Sequence, residues 1–142
     1  MKIAFLTTDS REHFRDYQKE TPYFGTAPAA LLEGFDRLGE PEIHVISCAQ
    51  ASLSSPHKLA QNIWFHSHYV PKRGWLRTGY LGCVLATRRF LKKIRPDLVH
   101  GQGTERDCAL SAVLSGFPNV LTIHGNMAEL AQLFRARIMS FY

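Results

Sequence analysis

The chain has 142 residues and a formal net charge of +5, with 45% hydrophobic and 20% charged residues. These values are typical of a globular domain that can bury its own core. No apolar run approaches the roughly 20 residues that a membrane-spanning helix needs.

The first third of the chain predicts a strand, a polar loop, a helix and a second strand. The run KIAFLT at residues 2–7 is typical of a buried strand. The polar segment 8–21 is long for a loop in a compact domain, and such loops are usually functional or mobile. A helix is predicted over residues 26–38, with Thr26 as its cap and a glycine after its end. The strand EIHVISC follows at residues 42–48.

The middle third predicts a strand and an amphipathic helix. The segment NIWFHSHYV at residues 62–70 has the aromatic content of a strand. A helix is predicted over residues 76–94, because six residues recur at spacings of three and four and form one apolar stripe. They are Leu76, Tyr80, Val84, Thr87, Leu91 and Ile94. Pro96 ends this helix.

The last third predicts two further strands, and each of them ends in His-Gly. These strands are DLVH at residues 97–100 and NVLTIH at residues 119–124. Between them Thr104 and Asp107 form a T-x-x-D cap for a helix that runs to about residue 115. A last helix is predicted from Asn126 to the end of the sequence. Because the sequence ends within that helix, we expect a fragment that a further domain or a partner completes.

The alternation of strands and helices predicts an α/β fold, with an open parallel sheet of about five strands and helices on both faces. The carboxyl ends of parallel strands meet at one edge of such a sheet, where ligands bind. Residues 7–9, 100–104 and 124–126 follow three of these ends, so we expect them to share a cleft. Three acidic side chains are expected at its rim: Asp9, Glu12 and Glu105.

The segment HGQGT at residues 100–104 is a candidate binding loop. Gly101 and Gly103 are expected to turn the chain and leave backbone amides free, and the helix that begins at Thr104 would attract anions or sugar hydroxyls. The segment is a poor dinucleotide fingerprint, because Arg106 occupies the third glycine position. The alternative interpretation is a plain strand-to-helix turn.

Two further positions are candidates for ligand contact. The imidazole of His124, at a strand end, can bond a hydroxyl or transfer a proton. Gly25 and Thr26 precede a helix, where a glycine permits close approach and the helix dipole favours a phosphate. For Gly25 and Thr26 the alternative is an ordinary helix cap. His66 and His68 share one strand face, and the favoured interpretation is exposed histidines rather than metal ligands.

The positive charge is concentrated in the middle of the chain. Between Glu42 and Asp97 there are nine Lys and Arg residues and no acidic residue. Five of them lie near the end of the predicted helix: Arg88, Arg89, Lys92, Lys93 and Arg95. They predict a surface for an anionic partner, and a solvated helix face is the alternative. Nucleic acid is not favoured, because the nearby aromatic residues Trp64, Phe65 and Trp75 have the pattern of core and loop residues.

The cysteines indicate the compartment. Cys48, Cys83 and Cys108 are odd in number and contain no CxxC pair, so they predict buried thiols rather than a disulfide framework or a zinc site. The N-terminal run IAFLTT is too short for a signal peptide. We therefore expect a cytoplasmic protein without a bound metal.

Five segments in this order resemble the N-terminal domain of family-4 glycosyltransferases of the GT-B type. They are KIAFLTT, PYFGTAPAALLEGFDRLG, EIHVIS, IRPDLVHGQGTERDCALSAVLSG and NVLTIHGN. The resemblance implies a Rossmann-like domain that binds the acceptor, which is the N-terminal half of a GT-B fold. It also implies a second domain, absent here, that holds most of the sugar-nucleotide contacts. Transfer with retention, a sugar nucleotide as co-substrate, no other cofactor and a carbohydrate or lipid-linked acceptor follow from the same resemblance.

The resemblance gives roles to several residues. Gly25 matches the glycine loop near the donor diphosphate, and residues 100–105 match the acceptor-side loop. His124 matches the catalytic-site histidine whose imidazole or backbone contacts the transferred sugar. The residues expected to bind substrate are Gly25, Thr26, His100, Gly101, Gln102, Gly103, Thr104, Glu105, Gly125 and Asn126. The chain departs from the family at Phe24-Gly25-Thr26, where many members have two adjacent glycines. Because the donor-anchoring residues lie in the second domain, the isolated chain is expected to be inactive.

The resemblance also suggests a role for the basic helix. Some members dock on anionic membrane through a basic surface of this domain, which would place the protein at the inner face of the membrane. Here only the charges are expected to be free, because the apolar stripe covers the sheet. A different interpretation is a self-contained, non-catalytic α/β module that binds a phosphorylated or polyanionic ligand. Apolar residues on the last helix favour a homodimer or contact with the missing domain.

Overall fold

The computed structural model describes residues 1–125 as one open sheet with helices on both faces. The strands are β1 (Lys2–Leu6), β2 (Glu42–Ala49), β3 (Lys58–Ala60), β4 (Ile63–Tyr69), β5 (Leu98–Gln102) and β6 (Asn119–Thr122). The α-helices are α1 (Ser10–Phe14), α2 (Thr26–Leu38), α3 (Leu81–Ile94) and α4 (Asp107–Val113), and two 3₁₀ turns span Lys72–Gly74 and Leu76–Thr78. The helix predicted from Asn126 lies outside the described residues.

The order of strands in the sheet is β3-β4-β2-β1-β5-β6, and every neighbouring pair is parallel except β3 and β4. This arrangement confirms the predicted Rossmann-like sheet, in which chain order reverses between β1 and β5. The extra strand β3 was not predicted, since a three-residue edge strand is too short to show a period. The reversal point is where open α/β sheets form a ligand-binding crevice.

The core has two layers, one on each face of the sheet. Helix α2 covers the face that carries Phe5, Val45 and Phe65. Helices α3 and α4 cover the opposite face, where Leu6 and Val99 are buried. Neighbouring residues of a strand point to opposite faces, so each buried strand supplies both layers.

Helix α3 begins five residues later than predicted. Gly79 and Tyr80 both have left-handed backbone conformations, with φ of 59° and 63°, which separate the preceding 3₁₀ turn from the helix. The predicted stripe is otherwise confirmed: Tyr80, Val84, Thr87 and Leu91 are buried and Ile94 is partly buried. Leu76 is the exception, since 47% of its surface is exposed. The apolar spacing of the sequence continues through Gly79 and Tyr80, so it does not show that the helix is interrupted there.

The polar segment 8–21 is held in place by a buried ion pair. Arg11 is fully buried, and its guanidinium binds both carboxylate oxygens of Asp9, with an Nη2–Oδ2 distance of 2.8 Å. The same guanidinium donates to the carbonyl oxygens of Lys19 and Ser54, each at 3.0 Å, and to Oγ of Ser55 at 2.7 Å. Arg11 therefore ties this segment, which contains α1, to the loop that follows β2.

The strand histidines are packed in the fold, so their interpretation as exposed residues is wrong. His66 and His68 are partly buried, and their rings lie 4.4 and 4.9 Å from the ring of Phe90 on α3. His66 Nε2 lies 2.9 Å from Nδ1 of His44, whose Nε2 donates to Glu42 at 2.7 Å. Burial lowers the pKa of His66 to about 4, which favours its neutral form at physiological pH.

The cysteines and two of the three aromatic residues lie where the sequence predicted. Cys48, Cys83 and Cys108 are all free and buried. Trp75 and Phe65 are buried as well. Trp64 is partly buried and stacks on the ring of His44 at 5.3 Å. These three aromatic rings are therefore engaged in packing.

Candidate functional site

A cleft of about 950 Å³ opens at the carboxyl edge of the sheet. Thr7 and Thr8 follow β1, Gln102 ends β5 and His124 follows β6, and all four residues line this cleft. The prediction that these strand ends share one cleft is confirmed. The cleft lies at the reversal of strand order, where the loops after neighbouring strands diverge.

Three other segments form the walls of the cleft. The amino terminus of α2 contributes residues 25–28, helix α1 and its cap contribute Glu12, His13 and Arg15, and the 3₁₀ turns contribute Trp75 and Leu76. The length of the polar segment 8–21 predicts a functional or mobile loop, and residues 8, 10 and 12–15 of this segment line the cleft. Trp75 and Arg106 were not predicted here, because no motif relates the loop after β4 to the loop after β5.

The structure divides the predicted substrate-binding residues into two groups. Gly25, Thr26, Gln102 and Glu105 line the cleft, as does His124, the predicted catalytic residue. Five others do not line it: His100, Gly101, Gly103, Thr104 and Gly125. Asn126 lies outside the described residues. The first group comes from three separate parts of the chain, so it is the fold that brings it together.

A chain of hydrogen bonds connects β5 with β6 at the floor of the cleft. The amide nitrogen of Gln102 donates to Nε2 of His100 at 2.8 Å, and its amide oxygen accepts from Nε2 of His124 at 2.9 Å. Nε2 of His100 also lies 2.7 Å from the hydroxyl of Thr122. Burial, followed by the neighbouring His124, lowers the pKa of His100 and favours its neutral form. His100 therefore supports Gln102, and Gln102 orients His124.

The HGQGT segment is built differently from its prediction. Gly101 is an internal residue of β5, so the turn expected there is wrong, whereas Gly103 has a φ of +78° and does turn the chain. Helix α4 begins at Asp107, and its cap residue Arg106 makes no capping hydrogen bond through its side chain. The predicted cap at Thr104 is therefore wrong, and its side chain is exposed.

Gly25 occupies the cap position of α2, so the prediction of Thr26 as the cap is wrong. Its φ of −59° is accessible to any residue, and an added Cβ would meet only Cδ of Pro28 at 3.9 Å. The fold therefore does not require glycine here. Gly25 has no side chain to cap the helix, and within residues 1–125 no other side chain bonds to the first-turn amides, which leaves them available to an anion in the cleft.

The acidic residues at the cleft have different environments. Glu12 and Glu105 line the cleft as predicted, but Asp9 is buried against Arg11 and does not. The carboxylate of Glu12 accepts from the hydroxyl of Tyr17 and from the backbone amide of Gln50, each at 2.9 Å. Glu12 therefore stabilises the wall of the cleft.

One buried cluster has side chains that metals bind. The ligand atoms of Cys48, Cys83 and Asp107 lie within 4.8 Å of one another. A hydrogen bond to Cys48, followed by burial, raises the pKa of Cys83, and burial raises the pKa of Asp107. A metal would have to displace the protons that these environments favour. We therefore interpret the cluster as interior packing between β2, α3 and α4.

Comparison with known proteins gives the family. Residues 37–142 match the family of glycosyl transferase 4-like proteins, and the match covers more than half of the chain. No curated protein and no solved structure matches the chain. The matched residues include the strands that carry Gln102 and His124 to the cleft. The chain belongs to the glycosyl transferase 4-like family.

Proposed function

We propose that the chain is the acceptor-binding domain of a glycosyltransferase that uses a sugar nucleotide and retains the anomeric configuration. Family membership supports the transferase class. The observation that carries the proposal is the shared cleft, in which the uncapped amino terminus of α2 and the imidazole of His124 line the same cavity. A helix amino terminus suits a diphosphate, and an imidazole suits a sugar hydroxyl.

The hydrogen bond from His124 to Gln102 determines what the imidazole offers to a ligand. Because Nε2 donates to the amide oxygen of Gln102, a ring with a single N–H presents Nδ1 as an acceptor. We propose that Nδ1 accepts a hydrogen bond from a hydroxyl of the transferred sugar. In this arrangement the diphosphate lies at Gly25, and the acceptor lies along the wall formed by α1 and Trp75.

The family resemblance assigns most donor contacts to a second domain. We therefore propose that the chain on its own binds a sugar nucleotide weakly and transfers no sugar. No metal or other cofactor is part of this proposal. The expected location is the cytoplasm.

Chemical-shift mapping by NMR tests the proposal. On titration of the 142-residue chain with UDP, GDP and their glucose conjugates, we expect shifts at Gly25, Gln102 and His124. The His124→Ala variant should weaken binding of the preferred sugar nucleotide about tenfold, the effect of losing about 1.4 kcal/mol of hydrogen bonding. His57→Ala is the control, because His57 is exposed and does not line the cleft.

Two results would contradict the proposal. One is the absence of shifts at Gly25 and His124 with every nucleotide. The other is an equal loss of binding in the His57 and His124 variants. Shifts confined to residues 88–95 on addition of polyanions would favour the non-catalytic anion-binding module instead.

We further propose that α3 docks the protein on an anionic membrane surface and presents a lipid-linked acceptor to the cleft. Four basic residues of α3 are exposed: Arg88, Arg89, Lys92 and Lys93. The expectation that only charges are free is wrong, because Leu81 and Leu85 are 53% and 42% exposed. Arg95 is exposed too, but it caps the helix. Within residues 1–125 no helix is long and apolar enough to cross a bilayer.

Vesicle co-sedimentation tests this docking surface. Vesicles that contain one-third phosphatidylglycerol should bind the chain, and the Arg88→Gln/Arg89→Gln variant should bind about 30-fold more weakly, at about 1 kcal/mol per charge. Lys58→Gln is the control, because Lys58 is exposed on the edge strand and packs over Trp64. Equal binding to neutral phosphatidylcholine vesicles, or an equal loss in the control, would contradict docking through α3.

A further inference from the structure

Arg106 holds its guanidinium at the cleft in a fixed position. Its Cζ lies 5.1 Å from the ring centroid of Trp75, and the indole nitrogen of Trp75 donates to the carbonyl oxygen of Val70 at 2.8 Å. A guanidinium stacked on an anchored aromatic ring is oriented before a ligand arrives. Nη1 of Arg106 is buried and has no hydrogen-bond partner within residues 1–125. A buried donor without a partner is rare in a folded protein and calls for an explanation.

The acidic neighbours of Arg106 do not supply that partner. Asp107 follows it in the chain but forms no ion pair with it in the described part of the structure, and burial raises the pKa of Asp107. The carboxylate of Glu105 occupies the space in which a Cβ on Gly103 would lie. Arg106 lines the cleft and forms no ion pair within residues 1–125, so its charge is free to attract an anionic group that enters there.

Arg15 adds a second guanidinium to the same cleft. It caps the carboxyl end of α1 with a φ of 56°, a left-handed conformation in which glycine is normally preferred. Its side chain is exposed and forms no hydrogen bond or ion pair with the other residues of the range 1–125. Arg15 and Arg106 both line the cleft, so both guanidiniums are within reach of a group that binds there. An arginine at a strained position, directed to a cleft, is a candidate for ligand binding.

We propose that Arg15 and Arg106 form an oxyanion site that binds a phosphate or carboxylate group of the acceptor. Guanidinium groups bind such planar or tetrahedral oxyanions through paired hydrogen bonds. This inference rests on the proposed function, because it assigns the anion to the acceptor. The amino terminus of α2 at Gly25 is left for the diphosphate of the donor. A second source of the same chemistry is the donor diphosphate itself, and the experiment separates the two.

The experiment uses glucose 6-phosphate as the anionic probe, glucose as its neutral control and UDP as the donor-side probe. Calorimetric titration of the 142-residue chain compares Arg106→Gln and Arg15→Gly with the original sequence. Arg95→Gly is the matched control, because Arg95 is also an arginine cap in the left-handed region, with a φ of 48°, but does not line the cleft. Both glycine variants relieve the same kind of backbone strain and remove the same charge.

Arg15→Gly and Arg95→Gly should therefore have similar thermal stability but different affinities for glucose 6-phosphate. Each should keep or raise the Tm, by about 2–4 °C, since an L-residue loses its left-handed penalty. Arg15→Gly and Arg106→Gln should each weaken glucose 6-phosphate binding at least tenfold, while Arg95→Gly should stay within twofold of the original. Glucose should bind at least tenfold more weakly than glucose 6-phosphate.

Three results would overturn the proposal. The first is that glucose binds as tightly as glucose 6-phosphate. The second is that Arg15→Gly and Arg95→Gly weaken binding of glucose 6-phosphate equally, which would indicate only non-specific charge attraction. The third is that UDP competes with glucose 6-phosphate and loses affinity equally in the Arg15 and Arg106 variants, which would assign the anion to the donor. By contrast, glucose 6-phosphate binding that depends on both arginines, with no UDP shifts at Gly25 or His124, would support the oxyanion site and contradict the proposed transferase role.

Discussion

Replacement of Arg11 by methionine is expected to lower the free energy of unfolding by about 3–5 kcal/mol. The carboxylate of Asp9 would remain buried without its partner, and the carbonyl oxygens of Lys19 and Ser54 would lose a donor. Methionine fills much of the volume, so loss of charge pairing rather than a cavity dominates the effect. Urea denaturation followed by circular dichroism measures the change.

A surface ion pair gives the matched control for this experiment. Arg37 pairs with Glu33 one turn earlier on α2, and both side chains are largely exposed. Arg37→Met should therefore change stability by only about 0.5 kcal/mol or less. Adding Asp9→Asn to the Arg11→Met variant should recover stability, because it removes the unpaired charge. If Arg11→Met costs no more than Arg37→Met, the buried pair does not hold the segment in place.

The importance of Arg11 extends to the candidate site. The segment that it fixes carries Glu12, His13 and Arg15, which form one wall of the cleft. A variant in which this segment is released should bind glucose 6-phosphate more weakly although Arg15 is still present. We therefore expect stability and ligand binding to be coupled through one side chain that contacts neither the donor nor the acceptor in our proposal.

The sequence was most informative where one physical constraint dominates a segment. Buried strands must be apolar over a short length, and this constraint located five of the six strands and the resulting cleft edge. The sequence was less informative where two charged residues are buried because they pair with each other. Arg11 and Asp9 each appear as solvated residues of a polar loop, and only the fold shows that they are buried together. The start of α3 was missed for a related reason, because Tyr80 keeps the apolar stripe in register while its backbone is left-handed.

The candidate site shows the same division. Gln102 and His124 were identified because they follow strand ends, which is a local property. Their hydrogen bond depends on the pairing of β5 with β6 and was not predicted. Arg106 was considered only as a missing glycine, since its position over Trp75 depends on packing between distant loops. Local sequence patterns therefore predicted where the cleft lies. The charged groups that line it, such as Arg106, could be identified only from the tertiary structure.

Replacement of Gly101 by alanine is expected to destabilise the fold by about 1–3 kcal/mol, the usual range for overpacking of a core. A Cβ at this position would lie 2.8 Å from Cδ2 of Leu121, 2.9 Å from the backbone oxygen of Cys108 and 3.1 Å from Cβ of Ala112. The side chain of Leu121 can rotate away, but the oxygen of Cys108 belongs to the backbone of α4. The helix must therefore move away from β5, which also displaces Gln102 and the adjacent floor of the cleft.

Gly34 provides a control with the opposite sign. It lies within α2, where an added Cβ meets no atom within 4 Å. Gly34→Ala should therefore stabilise the fold by about 0.5–1 kcal/mol, because alanine has the higher helix propensity. Thermal unfolding of the two variants should give Tm shifts of opposite sign, and sugar-nucleotide titration should show a loss only for Gly101→Ala. A Gly101→Ala variant as stable as the original would mean that α4 is not packed tightly against β5.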